Sequence, residues 1–159
     1  MIIQIKKRAN SKHIISYVRD GLETYWIEAD NFLVLHDLCH FAIETTLGYK
    51  TAFWGLVNSG INPSDFEDKE KRDRLNLSNE AWYAEHLANL FLIEYAQGTF
   101  ENINEVFKQC MLEHNPNVAI IQFSDAEIEA IRTSLHQLID AWNHVKDGSY
   151  LTLDFTISA

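Results

Sequence analysis

His36 and His40 stand four residues apart in the segment His36-Asp37-Leu38-Cys39-His40-Phe41-Ala42-Ile43-Glu44. On a helix this HxxxH spacing puts both imidazoles on one face, one turn apart, where they can share one divalent ion. Asp37, next to the first histidine, can take or give a proton there. The chemistry that such residues support is metal-assisted hydrolysis, with zinc, manganese or iron as the candidate ion.

Two histidines are an incomplete set, because a catalytic site of this kind has three protein ligands and an open position. Glu44 lies eight residues beyond His36, about 12 Å along a straight helix at 1.5 Å per residue, and is too far to share an ion with it. Its place one turn past His40 suits it to orient that ring through the second ring nitrogen. The third ligand must come from another helix. Glu85 and His86 lie in the middle of a second apolar helical pattern and are the candidates. Glu85 is favoured as the carboxylate that completes the set or handles protons, with His86 supporting it, and Glu80 is the weaker choice near that helix's start.

A non-catalytic alternative stands beside this reading. The helix that carries the pair is apolar on nearly every side, through Phe32, Val34, Leu35, Leu38, Phe41 and Ile43. A helix of that kind is buried, and ionisable groups on it must be paired, hydrogen-bonded or metal-bound. A His-Glu cluster that only fixes helix packing in a binding or interaction protein meets the same requirement. Other catalytic templates are absent: there is no G-x-S-x-G elbow, phosphate-binding glycine loop or dinucleotide fingerprint. Cys39 precedes His40 by one residue and points away from it on a helix, which argues against a Cys-His nucleophile.

The elements that position these residues read as follows. The first thirty residues carry strand patterns, with Ile3 and Ile5 alternating, a β-rich run from His13 to Arg19, and the turn signal Asp20-Gly21. Beyond it Leu22, Thr24 and Trp26 alternate with Glu23, Tyr25 and Ile27. The site helix starts at Asp30 or Asn31 and stops at Gly48. A short helix over Thr51 to Asn58 follows, then a polar stretch, Asn62 to Leu77, read as a solvated loop or short exposed helix. Helices over Asn79 to Gln97 and Phe100 to His114 come next, and Val118 to Phe123 reads as extended. Ser124-Asp125-Ala126-Glu127 is a capping box for the last helix. From Tyr150 to Ile157 the alternation is strict, which demands a sheet partner. The fold expected is α+β in one domain, residues 1–159. It has an antiparallel sheet of about four strands, three N-terminal and one C-terminal, covered on one face by about five helices. Trp26, Trp54, Trp82 and Trp142 are read as core, one of them lining a pocket, and Cys39 and Cys110 as buried free thiols.

The chain has 13 Lys and Arg against 23 Asp and Glu, a formal net charge of -10. An acidic surface repels phosphate backbones and anionic lipid, so neither nucleic acid nor a membrane is the expected partner. A small-molecule substrate or a protein partner fits better, and a homo-oligomer stays open. With no signal-peptide pattern at Met1 to Arg8 and no membrane-length apolar run, the expected location is the cytoplasm.

The pair and its neighbour resemble a variant of the zincin motif, H-E-x-x-H, in which the Glu is the general base and Asp37 stands one methylene shorter in its place. The segment Leu35 to Glu44, with Leu47-Gly48 and Phe53-Trp54-Gly55-Leu56 after it, also resembles a group of small bacterial proteins with an H-D-x-x-H-[FY]-x-x-E helix. Ala141-Trp142, Gly148 and Leu151-Thr152-Leu153 match that group's final helix and strand. The resemblance implies an acidic, single-domain bacterial protein and implies no reaction.

Overall fold

In the computed structural model, which describes residues 1–157, the chain opens with β1 (Ile2–Lys6), β2 (His13–Val18) and β3 (Tyr25–Ala29). The long helix α1 (Asn31–Leu47) and three short helices follow: α2 (Phe53–Asn58), α3 (Ser64–Glu67) and α4 (Lys69–Leu75). Then come α5 (Asn79–Gln97), α6 (Ile103–His114), α7 (Asp125–His144) and the last strand, β4 (Tyr150–Asp154). The fold is α+β. The strands form one antiparallel sheet in the order β3-β2-β1-β4, so the last strand joins the N-terminal meander through β1.

Register explains why one face of this sheet is apolar. Ile27, Ile15, Ile5 and Leu151 line up in one row across the four strands, and Tyr25, Tyr17, Ile3 and Leu153 in the next. Side chains alternate between faces, so these rows share the inner face. Ile3, Ile5, Ile15 and Tyr17 are buried there. Trp26 lies in the opposite row, with Ser16, Gln4 and Thr152, and is 59% exposed. The expectation that it is core is therefore corrected: β3 starts at Tyr25, and the Tyr25-Ile27-Ala29 set faces inward.

Helix α1 lies over the inner face, flanked by α5 and α7. Asp30 caps it by accepting the Leu33 N–H at 2.8 Å. Gly48 ends it in the left-handed region (φ 70°), which costs glycine little. The capping box at Ser124 and Glu127 starts α7 as its pattern implies. Other boundaries move. The described residues form seven helices where about five are expected, because the polar stretch after Asn62 folds into α3 and α4. Helix α6 starts at Ile103, capped by Asn102, and α2 starts at Phe53. Val118 to Phe123 forms a turn and coil with no strand partner; instead the Phe123 backbone bonds both ways with the Asn104 side chain. Both cysteines are free thiols, Cys39 buried and Cys110 only half-buried. No helix among the described residues is long and apolar enough to cross a membrane.

Candidate metal centre

One turn of α1 separates His36 from His40, and their ring centroids lie 4.8 Å apart. Helix α5 runs alongside and brings in Glu85. Its Oε2 is 3.1 Å from His40 Nε2 and its Oε1 is 3.5 Å from His36 Nε2. On the other side of the rings, His40 Nδ1 donates to Glu44 Oε1 at 3.2 Å, and His36 Nδ1 is 4.0 Å from Asp37 Oδ1. Each imidazole thus turns Nδ1 to a carboxylate of its own helix and Nε2 to Glu85. For His40 this is the orientation of a metal-ligating histidine, in which the carboxylate keeps the proton on Nδ1 and leaves the Nε2 lone pair for an ion, whereas Asp37 faces His36 Nδ1 from beyond hydrogen-bond reach.

Glu44 is anchored in turn. It is fully buried, and its two oxygens accept the Trp54 N–H and the Gly55 N–H, each at 3.1 Å. These are first-turn N–H groups of α2, which have no partner inside that helix, so one carboxylate serves both the ring and the helix end. Residue 55 must be glycine: a Cβ there would stand 2.2 Å from the Lys50 carbonyl oxygen. Trp54 closes the layer below by donating its indole N–H to the Asp37 carbonyl at 3.0 Å.

The protonation states follow from these contacts. For His40, burial disfavours the charged ring, but hydrogen bonds to Glu44 and Glu85 outweigh it and raise the pKa to about 9. Without a metal the ring is an imidazolium that donates to both carboxylates. His36 is raised more weakly, burial opposing the pull of the Asp37 and Glu85 carboxylates beside it. Burial raises Asp37, with His36 pulling it back. Burial also raises Glu44, opposed by His40 and the two backbone N–H groups. Glu85 moves the other way: burial would raise it, yet the two rings hold it well below the usual carboxylate range. Burial pushes the Cys39 thiol up to about 12, so it is no nucleophile at neutral pH.

His36, His40 and Glu85 each offer one ligand atom, all within 4.8 Å of one another, and this group could hold a metal ion. Ligands held tetrahedrally at about 2 Å stand roughly 3.3 Å apart, so modest side-chain rotations close the set. All three, with Asp37, line a cavity of about 540 Å³. Phe53, Phe66, Leu33 and Trp82 supply much of its apolar wall.

Asp37 lies beside the pair, buried at 3% exposed, and its Oδ2 has no hydrogen-bond partner among the described residues. One expected placement is corrected. His86 does not support the pair. Its ring packs on His114 at 5.3 Å, and His114 packs on Trp82 at 4.2 Å. Neighbours on a helix point about 100° apart, so Glu85 facing α1 turns His86 away. Glu80 is engaged elsewhere: it accepts the Lys50 N–H at 3.0 Å and the Thr51 N–H at 2.9 Å. The reading from sequence also passed over the wall formed by residues 62–77, where Pro63, Phe66, Arg72 and Leu77 face the cavity. Phe66 and Leu77, apolar in a polar run, were the available signal. Comparison with protein-family models, with curated proteins and with solved structures finds no match to this chain.

Proposed function

We propose that this protein is a divalent-metal-dependent hydrolase, with His36, His40 and Glu85 as the ligands. The observation that carries the reading is the orientation of both rings, Nε2 toward Glu85 and Nδ1 toward Asp37 or Glu44. A two-His, one-carboxylate set facing a cavity suits zinc, and manganese or iron fits the same donors. Bound there, the ion would polarise a substrate carbonyl and make water acidic enough to attack it at neutral pH.

The protein's own groups account for the remaining steps. Asp37 takes the proton of the attacking water and passes it to the leaving amine or alcohol as the carbonyl bond to that group breaks. Burial raises its pKa, with His36 pulling it back. Glu44 keeps the His40 ring fixed. The apolar wall seats the substrate and limits bulk water.

A second reading has one observation in its favour: His40 already has a carboxylate at each ring nitrogen. The cluster could then be a metal-free ionic tie between α1 and α5 in a binding protein. Metal analysis separates the two. The purified protein, exposed to zinc, manganese or ferrous iron and then desalted, is expected to retain about one ion per chain. His36→Ala is expected to lose it. A folded wild-type protein that retains none of the three ions overturns the hydrolase reading.

A further inference from the structure

The cavity lined by the two histidines also carries a cation whose charge the fold leaves uncommitted. The run from Glu67 to Arg74 mixes both signs, and two other cations of this helix are paired: Lys71 lies 3.3 Å from Asp65, and Arg74 lies 3.9 Å from Glu70. Arg72 is half-buried and lines the cavity. One of its terminal N–H groups donates to the Phe66 carbonyl at 3.3 Å. Among the described residues no carboxylate pairs with it. A guanidinium held by one edge on a cavity wall presents its other N–H groups as a fork that matches a carboxylate.

An aromatic path joins this cation to the histidines. The His40 ring lies 5.4 Å from the Phe53 ring, and Phe53 lies 5.2 Å from Phe66, whose carbonyl holds Arg72. A molecule lying along that wall meets ligand-type groups at one end, two aromatic faces in the middle and a guanidinium at the other end.

We propose that the site takes an elongated substrate with an apolar or aromatic body and a terminal carboxylate. The carboxylate sits on Arg72, and the amide or ester to be cleaved lies at His36, His40 and Glu85. This assignment rests on the metal-centre reading. Glu67 and Asp73 also line the cavity and oppose an anion. They favour a single negative charge over a doubly charged phosphate, since repulsion grows with ligand charge.

The test uses the metal-loaded full chain and three hydroxamates, each with the same phenylpropyl body, so that the hydroxamate takes the metal. They end in a carboxylate, a carboxamide or an ammonium group. The carboxylate probe is expected to bind roughly tenfold more tightly than the carboxamide. Arg72→Gln is expected to remove that preference while leaving metal content unchanged, and Arg72→Lys to restore part of it. Equal binding of carboxylate and carboxamide probes, a preference that survives Arg72→Gln, or tightest binding of the ammonium probe would each overturn the proposal with the metal centre intact. A chain that retains no metal fails at the earlier step and removes both readings.

Discussion

Glu44 and Gly55 are joined by a 3.1 Å hydrogen bond from the glycine N–H to a fully buried carboxylate oxygen, and that carboxylate also holds His40. The start of α2 and the orientation of a candidate ligand therefore depend on one side chain. Gly55→Ala would force a Cβ to within 2.2 Å of the Lys50 carbonyl, so α2 must shift and carry its N–H groups away from Glu44. The expected outcome is a loss of about 2–4 kcal/mol in urea denaturation, in the range of overpacking with a broken buried contact. Glu44→Ala is expected to cost about 3–5 kcal/mol, because it strips a buried imidazolium of its partner. Where either variant stays folded, metal affinity should fall about 10- to 100-fold.

Glu85 is expected to behave differently. Its side chain is 45% exposed, so Glu85→Gln loses little packing. The amide removes the anionic ligand and leaves the fold intact. The expected result is a folded variant whose melting temperature in EDTA falls by less than that of Glu44→Ala, since the two rings lose the charge of a half-exposed partner, and loss of retained metal in the desalting assay. A variant that keeps a full equivalent of metal would show that Glu85 is not a ligand.

The parts of this architecture that were legible in the sequence are those with a regular period and a local cap. Residues Tyr150 to Ile157 alternate strictly, and β4 pairs with β1. The polar stripe of α1 stands out because the rest of that helix is apolar, and the meeting of Glu85 with the pair follows from two long apolar helices having to pack together. What was missed depends on contacts distant in sequence. The turn after Asp20 decides which face of β3 points inward, so Trp26 could be placed on either side until the register with Ser16 was known. The charge run before Leu77 has the composition of a solvated loop. Pro63 and Phe66 convert it into a cavity wall only because Phe53, on another helix, meets Phe66. Arg72 carries no local sign that separates it from Lys71 or Arg74.

The His40 imidazolium predicts an opposite pH response for the metal-free and metal-loaded protein. Its pKa rises from an ordinary 6.5 to about 9 on folding. A raised cationic group adds stability that is fully present below the unfolded value and disappears as pH climbs through the folded value. In EDTA, stability is expected to fall between pH 6.5 and pH 9 by more in wild type than in His40→Gln, as read by urea midpoints. An ion on Nε2 must displace that proton, so metal affinity should rise over the same interval. Identical pH slopes for wild type and His40→Gln would mean that the ring is not charged in the metal-free protein.

Asp37 separates proton transfer from metal binding. Its Oδ2 has no hydrogen-bond partner in a buried position, and the carboxylate is desolvated. Asp37→Asn keeps the shape and removes the buried charge, so stability should be unchanged or raised by about 1 kcal/mol. Metal content should also be unchanged, because the ligand atoms lie on His36, His40 and Glu85. Turnover by the metal-loaded protein, read first with 4-nitrophenyl acetate and then with carboxylate-ended aryl esters, is expected to drop about 10²- to 10⁴-fold, the usual share of a positioned general base. The rate of the residual reaction should lose its dependence on the Asp37 titration. If Asp37→Asn retains metal and full turnover with an unaltered pH profile, the carboxylate is a structural neighbour of His36, and another group must accept the proton.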